Sequence, residues 1–182
     1  MMKLITGVIA GMILFGVLAW KLGGAMMIVE HPSPFGVEET AARIQANIQG
    51  LANRGWSLSA LRDPSSAVAA AGGNVPPVLL VEACSTDYSG PILKEDATRI
   101  LSILMPCTIT IYKKSDGKTY IGLMNTALMG HLFGSKVAAV MQEVAADQAK
   151  FIEFDASKPA PPLIRGGPGG GGTGGGKPGG GC

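Results

Sequence analysis

The sequence predicts an α+β domain, a mainly antiparallel sheet with helices packed on one face, preceded by one transmembrane or signal-anchor helix. Three observations predict it. Residues 107–113 alternate, with Ile109 and Ile111 on one side against Thr108 and Thr110 on the other, and return through Ser115-Asp116-Gly117-Lys118 as residues 119–124. An Asp-Gly between two such runs is the strong local signal for a hairpin. Val37, Ala41, Ile44, Ile48 and Leu51 recur at spacings of four and three, as do Val137, Val140, Met141, Val144 and Phe151 in a second run; this is the period of amphipathic helices. Residues 4–20 (LITGVIAGMILFGVLAW) hold no charge and are flanked by Lys3 and Lys21.

The chain of 182 residues, 47% hydrophobic, suits one domain with two appendages, which divide it at residues 1–25, 26–157 and 158–182. The first is the apolar run. At 17 residues it sits at the short limit for a bilayer core of about 30 Å and is long for a signal-peptide core. Gly23 and Ala25 offer a cleavage site, so a removed signal stays open beside an anchor. The flank beyond Trp20 is acidic at Glu30, Glu38 and Glu39, which leaves Lys3 and the terminal amine in the cytoplasm. The expectation is a single-pass protein of the cytoplasmic membrane whose domain faces the periplasm or exterior. Gly7 and Gly11 form a G-x-x-x-G that puts both glycines on one helical face, a candidate for helix association in a membrane.

The domain opens with a short strand at residues 26–30, punctuated by Pro32 and Pro34. The helix from Val37 carries Glu38 and Glu39 in its first turn, where the dipole favours anions, and stops at Gly55. Residues 56–61 read as a strand, residues 65–71 as a short helix ended by Gly72-Gly73, and residues 77–84 (PVLLVEAC) as a strong strand. Pro91 suits a first helical turn, so residues 92–104 read as one helix that Pro106 stops. From residue 158 the chain is expected to leave the fold. Of its last 17 residues, 12 are glycine, which predicts a flexible coil with a reach of about 20–25 Å.

These pieces resemble one family, the domain of unknown function 302. The resemblance covers about residues 26–154 and rests on Ser33-Pro34-Phe35-Gly36-Val37-Glu38-Glu39-Thr40, Arg54-Gly55-Trp56, Ala83-Cys84, Leu104-Met105-Pro106-Cys107 and Asp116-Gly117-Lys118. It implies a small α+β domain, with pairing as a homodimer for many members and, in a subset, two cysteines at these places. Where such members resemble Ala-Cys-Asn-Pro, this chain has Ala83-Cys84-Ser85-Thr86, and Asn125-Thr126 stands where an Asp-Pro is similar to the family. The resemblance implies a fold more than a function.

Chemistry is confined to few residues. Cys84 and Cys107, in an oxidising compartment, are candidates for a disulfide closing a loop of about 24 residues, worth roughly 3.5 kcal/mol. Strand parity opposes it, since Cys107 shares a face with Ile109 and Ile111 while Cys84 shares one with Leu80 and Glu82. Inert core thiols, a structural or redox disulfide, and metal or sulfur chemistry all remain open. A metal reading adds His131 and Met129 to the two cysteines, a donor set suited to copper or zinc. Cys182, at the end of the glycine arm, is a candidate swinging thiol that meets Cys84 or a thiol-bearing partner protein; the alternative is a tail cysteine that links two chains or does nothing. No phosphate loop, G-x-S-x-G, H-E-x-x-H or dinucleotide fingerprint is present, and no basic stripe supports nucleic-acid binding. The reading is therefore a membrane-anchored binding or thiol-redox module without an enzyme signature and without a resident cofactor. Its alternatives are a thiol oxidoreductase or sulfur carrier using Cys84, Cys107 and Cys182, and a self-associating structural protein with inert cysteines.

Overall fold

In the computed structural model of the chain, residues 2–165 are described, without the side chains of residues 2–6, 8, 10 and 19–22. The element order is α1 (Met2–Met27), β1 (Ile28–Ser33), α2 (Val37–Gly50), β2 (Trp56–Arg62), α3 (Pro64–Ala70), β3 (Val78–Ser85), α4 (Thr86–Leu93), α5 (Asp96–Arg99), a 3-10 turn (Ile100–Leu104), β4 (Cys107–Lys113), β5 (Thr119–Met124), α6 (Thr126–His131) and α7 (Ser135–Phe151). One five-stranded sheet runs β1-β5-β4-β3-β2, antiparallel at every pairing. Strands β2 to β5 form a meander, and β1 is laid on its last strand. The α+β class and the antiparallel sheet are as the sequence predicts.

One face of the sheet makes the core. Leu79, Val81 and Ala83 of β3 alternate inward with Ile109 and Ile111 of β4 and Ile121 and Leu123 of β5, and they meet Ala41, Ile44 and Ile48 of α2 and Val144 and Phe151 of α7. These are the two helical stripes and the alternating strand positions of the sequence, now closed on each other. The other face is polar. Tyr112 and Tyr120 stack there with ring centroids 6.2 Å apart, and Lys114 lies over the Tyr120 ring and pairs with Glu30 at 2.6 Å.

Three segments differ from the sequence reading. The expected first strand at 26–30 is displaced, because α1 continues to Met27 and β1 runs from Ile28 through Pro32; an edge strand tolerates proline. The single helix expected at 92–104 is three pieces. Helix α4 starts earlier, at Thr86, so Pro91 lies inside it rather than in its first turn. Glu95 is extended (ψ 131°), and α5 and the 3-10 turn restart the chain. The segment around His131 is helix α6, capped by Asn125, whose side-chain oxygen accepts from the Leu128 amide at 3.2 Å.

The two appendages also come out differently. Residues 155–165 do not leave the fold but run along α2. Arg43 donates to the Asp155 and Lys158 carbonyls at 3.0 and 2.8 Å, and Gln45 pairs with both backbone groups of Ile164 at 2.9 Å. Leu163 packs against the core. At the other end, no helix among the described residues is long and apolar enough to cross a membrane, so the structure gives no support to the expected spanning anchor. Gly7 and Gly11 both lie in α1 with open space where a Cβ would be.

Candidate functional site

The two domain cysteines sit side by side in the sheet and face opposite ways. Cys107 is paired with Ala83 across β3 and β4. Cross-strand partners share a face and successive residues alternate, so Cys107 points to the core with Ala83, and Cys84 points to the other side. Cys107 packs against the core cluster and is a free thiol. Burial pushes its thiol up to about 11. Cys84 is 5% exposed and is disulfide-bonded. The Cys84–Cys107 bond considered from sequence is therefore not formed, for the reason strand parity gives.

A thiol raised to about 11 holds roughly a hundredth or less of the thiolate of an ordinary cysteine at pH 8. Alkylation of folded Cys107 at pH 8 is expected to run at least about two orders of magnitude slower than after unfolding, read by mass spectrometry of timed iodoacetamide reactions. Rapid labelling of the native protein at Cys107 would overturn its placement. The same burial favours the fold most below an unfolded thiol's pKa of about 8.5, and this contribution is lost as pH rises from there towards 11.

Beside Cys84 lies a polar cluster that organises this end of the sheet. Gly55 has φ 70°, and a Cβ there would come within 2.8 Å of Asp87 Oδ1 and 2.9 Å of Thr86 Oγ1. Glycine at this position allows β2 to start directly under the first turn of α4. The Thr86 amide donates to the Gly55 carbonyl at 3.2 Å and Ser85 Oγ to the Arg54 carbonyl at 2.7 Å. This explains why Arg54-Gly55-Trp56 reads as a unit.

Its two side chains converge on Asp147 of α7, which is completely buried. Asp147 Oδ2 accepts from Arg54 Nε at 2.8 Å, Trp56 Nε1 at 2.9 Å and the Tyr88 hydroxyl at 2.9 Å, while Oδ1 accepts from Lys150 Nζ at 3.0 Å. Arg54 reaches on to Glu143 at 3.0 Å. Burial works to raise the Asp147 carboxyl, but the bonds from Trp56, Lys150 and Tyr88 and the Arg54 charge outweigh it and hold the group below the usual carboxylate range. Burial also raises the Tyr88 hydroxyl, which stays a proton donor. The cluster is fully bonded, so its role is to fix β2, α4 and α7 around Cys84.

The opposite end of the sheet holds an open cleft of about 720 Å³, with Phe35 and Leu79 in its lining and Glu38, Asp63, Lys113 and Lys118 bringing both signs of charge. The strapped segment ends here, where Arg165 pairs with Glu38 at 2.5 Å. The metal candidates do not assemble. His131 is exposed at the end of α6, Met129 is half-buried in the same helix, the cysteines face apart, and no three His, Cys, Asp or Glu among the described residues form a metal-holding group. Cys182 lies outside the described residues.

The sequence reading missed Asp147, Tyr88 and Gln45, and it met Arg54 only as part of Arg54-Gly55-Trp56. A signal for two of them was present: Asp147 falls between Val144 and Phe151, and Gln45 four residues after Ala41, each a polar group in the apolar stripe of its helix. A charge in that position has to be paired.

Fold and site together define a small antiparallel α+β domain built around a bonded carboxylate, with two segregated thiols. The chain belongs to the family described as Domain of unknown function DUF302, whose model matches residues 29–154. An uncharacterized conserved protein DUF302 from Bacillus stearothermophilus, solved as a crystal structure, is similar over 70% of this chain and 96% of its own, with a TM-score of 0.61 at 18% identity; that likeness is one of fold. No curated protein matches the chain.

Proposed function

We propose that the protein is a thiol-redox module held at the outer side of the cytoplasmic membrane, in which Cys84 is the exchangeable sulfur and Cys107 a partly buried bystander. The observation that carries this reading is the division of labour between the two: Cys84 is disulfide-bonded while Cys107, its neighbour in the sheet, is a free thiol. The chain has three cysteines, so Cys182 is the partner it can itself offer. The position of Cys84, one residue before the N-cap of α4, adds support, since a helix start favours a thiolate. A disulfide persists in an oxidising compartment, and the uncharged run at 4–20 is the sequence feature that supports such a location.

The exchange balances without a cofactor. One thiolate of an external dithiol protein attacks Cys84, forming a mixed disulfide and releasing Cys182 as a thiolate that takes up a proton. The second external thiol, deprotonated, attacks its own partner sulfur, closing the external disulfide and releasing Cys84, which is protonated in turn. The external dithiol loses two electrons and two protons, and this chain gains both.

Peptide mapping without reductant, on protein whose thiols are blocked at lysis, tests the reading. The expected result is a linked pair of peptides carrying Cys84 and Cys182, with Cys107 alkylated only after unfolding. In Cys182→Ser the link disappears and Cys84 becomes open to mixed disulfides. A Cys84 that stays reduced in the isolated protein, or an adduct pattern that Cys182→Ser leaves unchanged, would end this reading.

A further inference from the structure

The large apolar side chains left exposed on the domain are concentrated at one end. Apart from Val68 and Val75 near α3, those after β1 are Ile100, Ile103, Leu132 and Phe133, at 76, 83, 60 and 41% exposure. Ile100 and Ile103 are three apart in the 3-10 turn, which stacks them on one side, while Leu101 turns inward onto Ile92 and Val137. Leu132 and Phe133 follow α6. Lys136, in the first turn of α7, pairs with Glu95 just before α5, so the α6–α7 corner and the 3-10 turn are neighbours.

Helix α1 leaves from the same place. The Asn125 amide donates to the Met27 carbonyl at 2.8 Å, the Asn125 side-chain amide donates to the Met26 carbonyl at 3.0 Å, and α1 packs against α6. Along α1, Met12, Ile13, Leu14, Phe15, Val17 and Leu18 are all exposed. Six large apolar residues within seven consecutive positions point all round a helix, so no single protein face is their natural cover.

We infer that this end of the domain is a phospholipid-docking surface: Ile100, Ile103, Leu132 and Phe133 enter the interfacial layer of the bilayer that takes up α1. A protein partner would have to wrap the circumference of α1 and also reach the corner beside it. One lipid plane covers both. Arg99 and Lys136 adjoin the four side chains in sequence and are exposed, the first paired with Asp96 and the second with Glu95. Docking does not require α1 to span the bilayer, only to lie in or enter it. The inference rests on the membrane half of the function proposed above and is independent of its thiol half. It sets Cys84, at the same end of the sheet, close to the lipid surface.

The test uses the full chain with vesicles of phosphatidylcholine and phosphatidylglycerol carrying brominated acyl chains, which quench nearby indoles. The native chain reports on α1 through Trp20. Ile103→Trp adds an indole in the patch, and Val68→Trp adds one at the far end of the sheet. The expected result is quenching of the native signal, further loss of emission from the indole added at 103, and none from the indole added at 68. If the native signal is quenched but the indole at 103 is not, or if it is covered only in a cross-linkable dimer, docking is overturned and the membrane seat stands. If only the indole at 103 is quenched, docking stands and the seat in α1 falls; if neither is, both fall.

Discussion

Asp147→Ala is expected to lower stability by about 3 kcal/mol, the scale for removing one partner of a buried charge-assisted network. The loss is larger than that of one contact because the change takes a shared acceptor from three donors at once. Trp56 Nε1 and the Tyr88 hydroxyl have their carboxylate partner at Asp147 Oδ2, and Arg54 keeps only the Tyr88 hydroxyl and Glu143, a surface acid. Urea unfolding followed by tryptophan fluorescence measures it. A midpoint within the range of surface substitutions would show that the network is not what holds β2 and α4 to α7. Acid gives an independent reading. The Asp147 carboxyl is depressed in the fold, so its contribution is complete above the ordinary carboxylate value near 3.8 and drains away as pH falls through the lower folded value. Wild type should therefore lose stability below about pH 4, and Asp147→Asn should flatten that part of the profile.

Phe151→Ala is expected to cost about 4 kcal/mol, or roughly 12 °C in Tm. Phe151 is fully buried and meets Trp56 edge-on, with ring centroids 4.9 Å apart and planes at 89°. It is also the last residue of α7, and the Asn47 side chain of α2 donates to its carbonyl at 3.0 Å. The cavity would open where α2, α7 and β2 meet, so little can relax into it. Differential scanning calorimetry reads the shift; a loss under about 1 kcal/mol would mean that α7 slides to refill the site.

The sheet and its two covering helices were legible because their signals are periodic. Alternation at Thr108, Ile109, Thr110 and Ile111 and the spacing of Ile44, Ile48, Val144 and Phe151 report which side each residue faces, and local geometry suffices to read them. The interruption at Lys94 and Glu95 was not legible, since neither residue is a helix breaker; the chain is bent there by Leu101 reaching Ile92 and Val137, a contact of the finished fold. The strap at 158–165 was hidden for a related reason. Proline-rich composition suggests departure from a fold, and only Gln45 and Arg43, far away in sequence, hold those carbonyls. The Asp147 cluster was half legible, as a charge in an apolar stripe, but its partners come from β2 and α4 and no spacing rule names them. The absence of a Cys84–Cys107 bond was legible because side-chain alternation along a strand follows from local geometry alone.

Cys84 and Cys107 are offset by a single position across one strand pairing, with Ala83 opposite Cys107. The pleated sheet thus lies between a bonded sulfur and a free one. Sliding β4 by one residue against β3 would put Cys107 opposite Cys84, on the same side. The hydrophobic row from Ile109 to Ile111 therefore keeps the two sulfurs apart as well as the core together, because the slip that would bring them to one face would also turn those isoleucines off the core face.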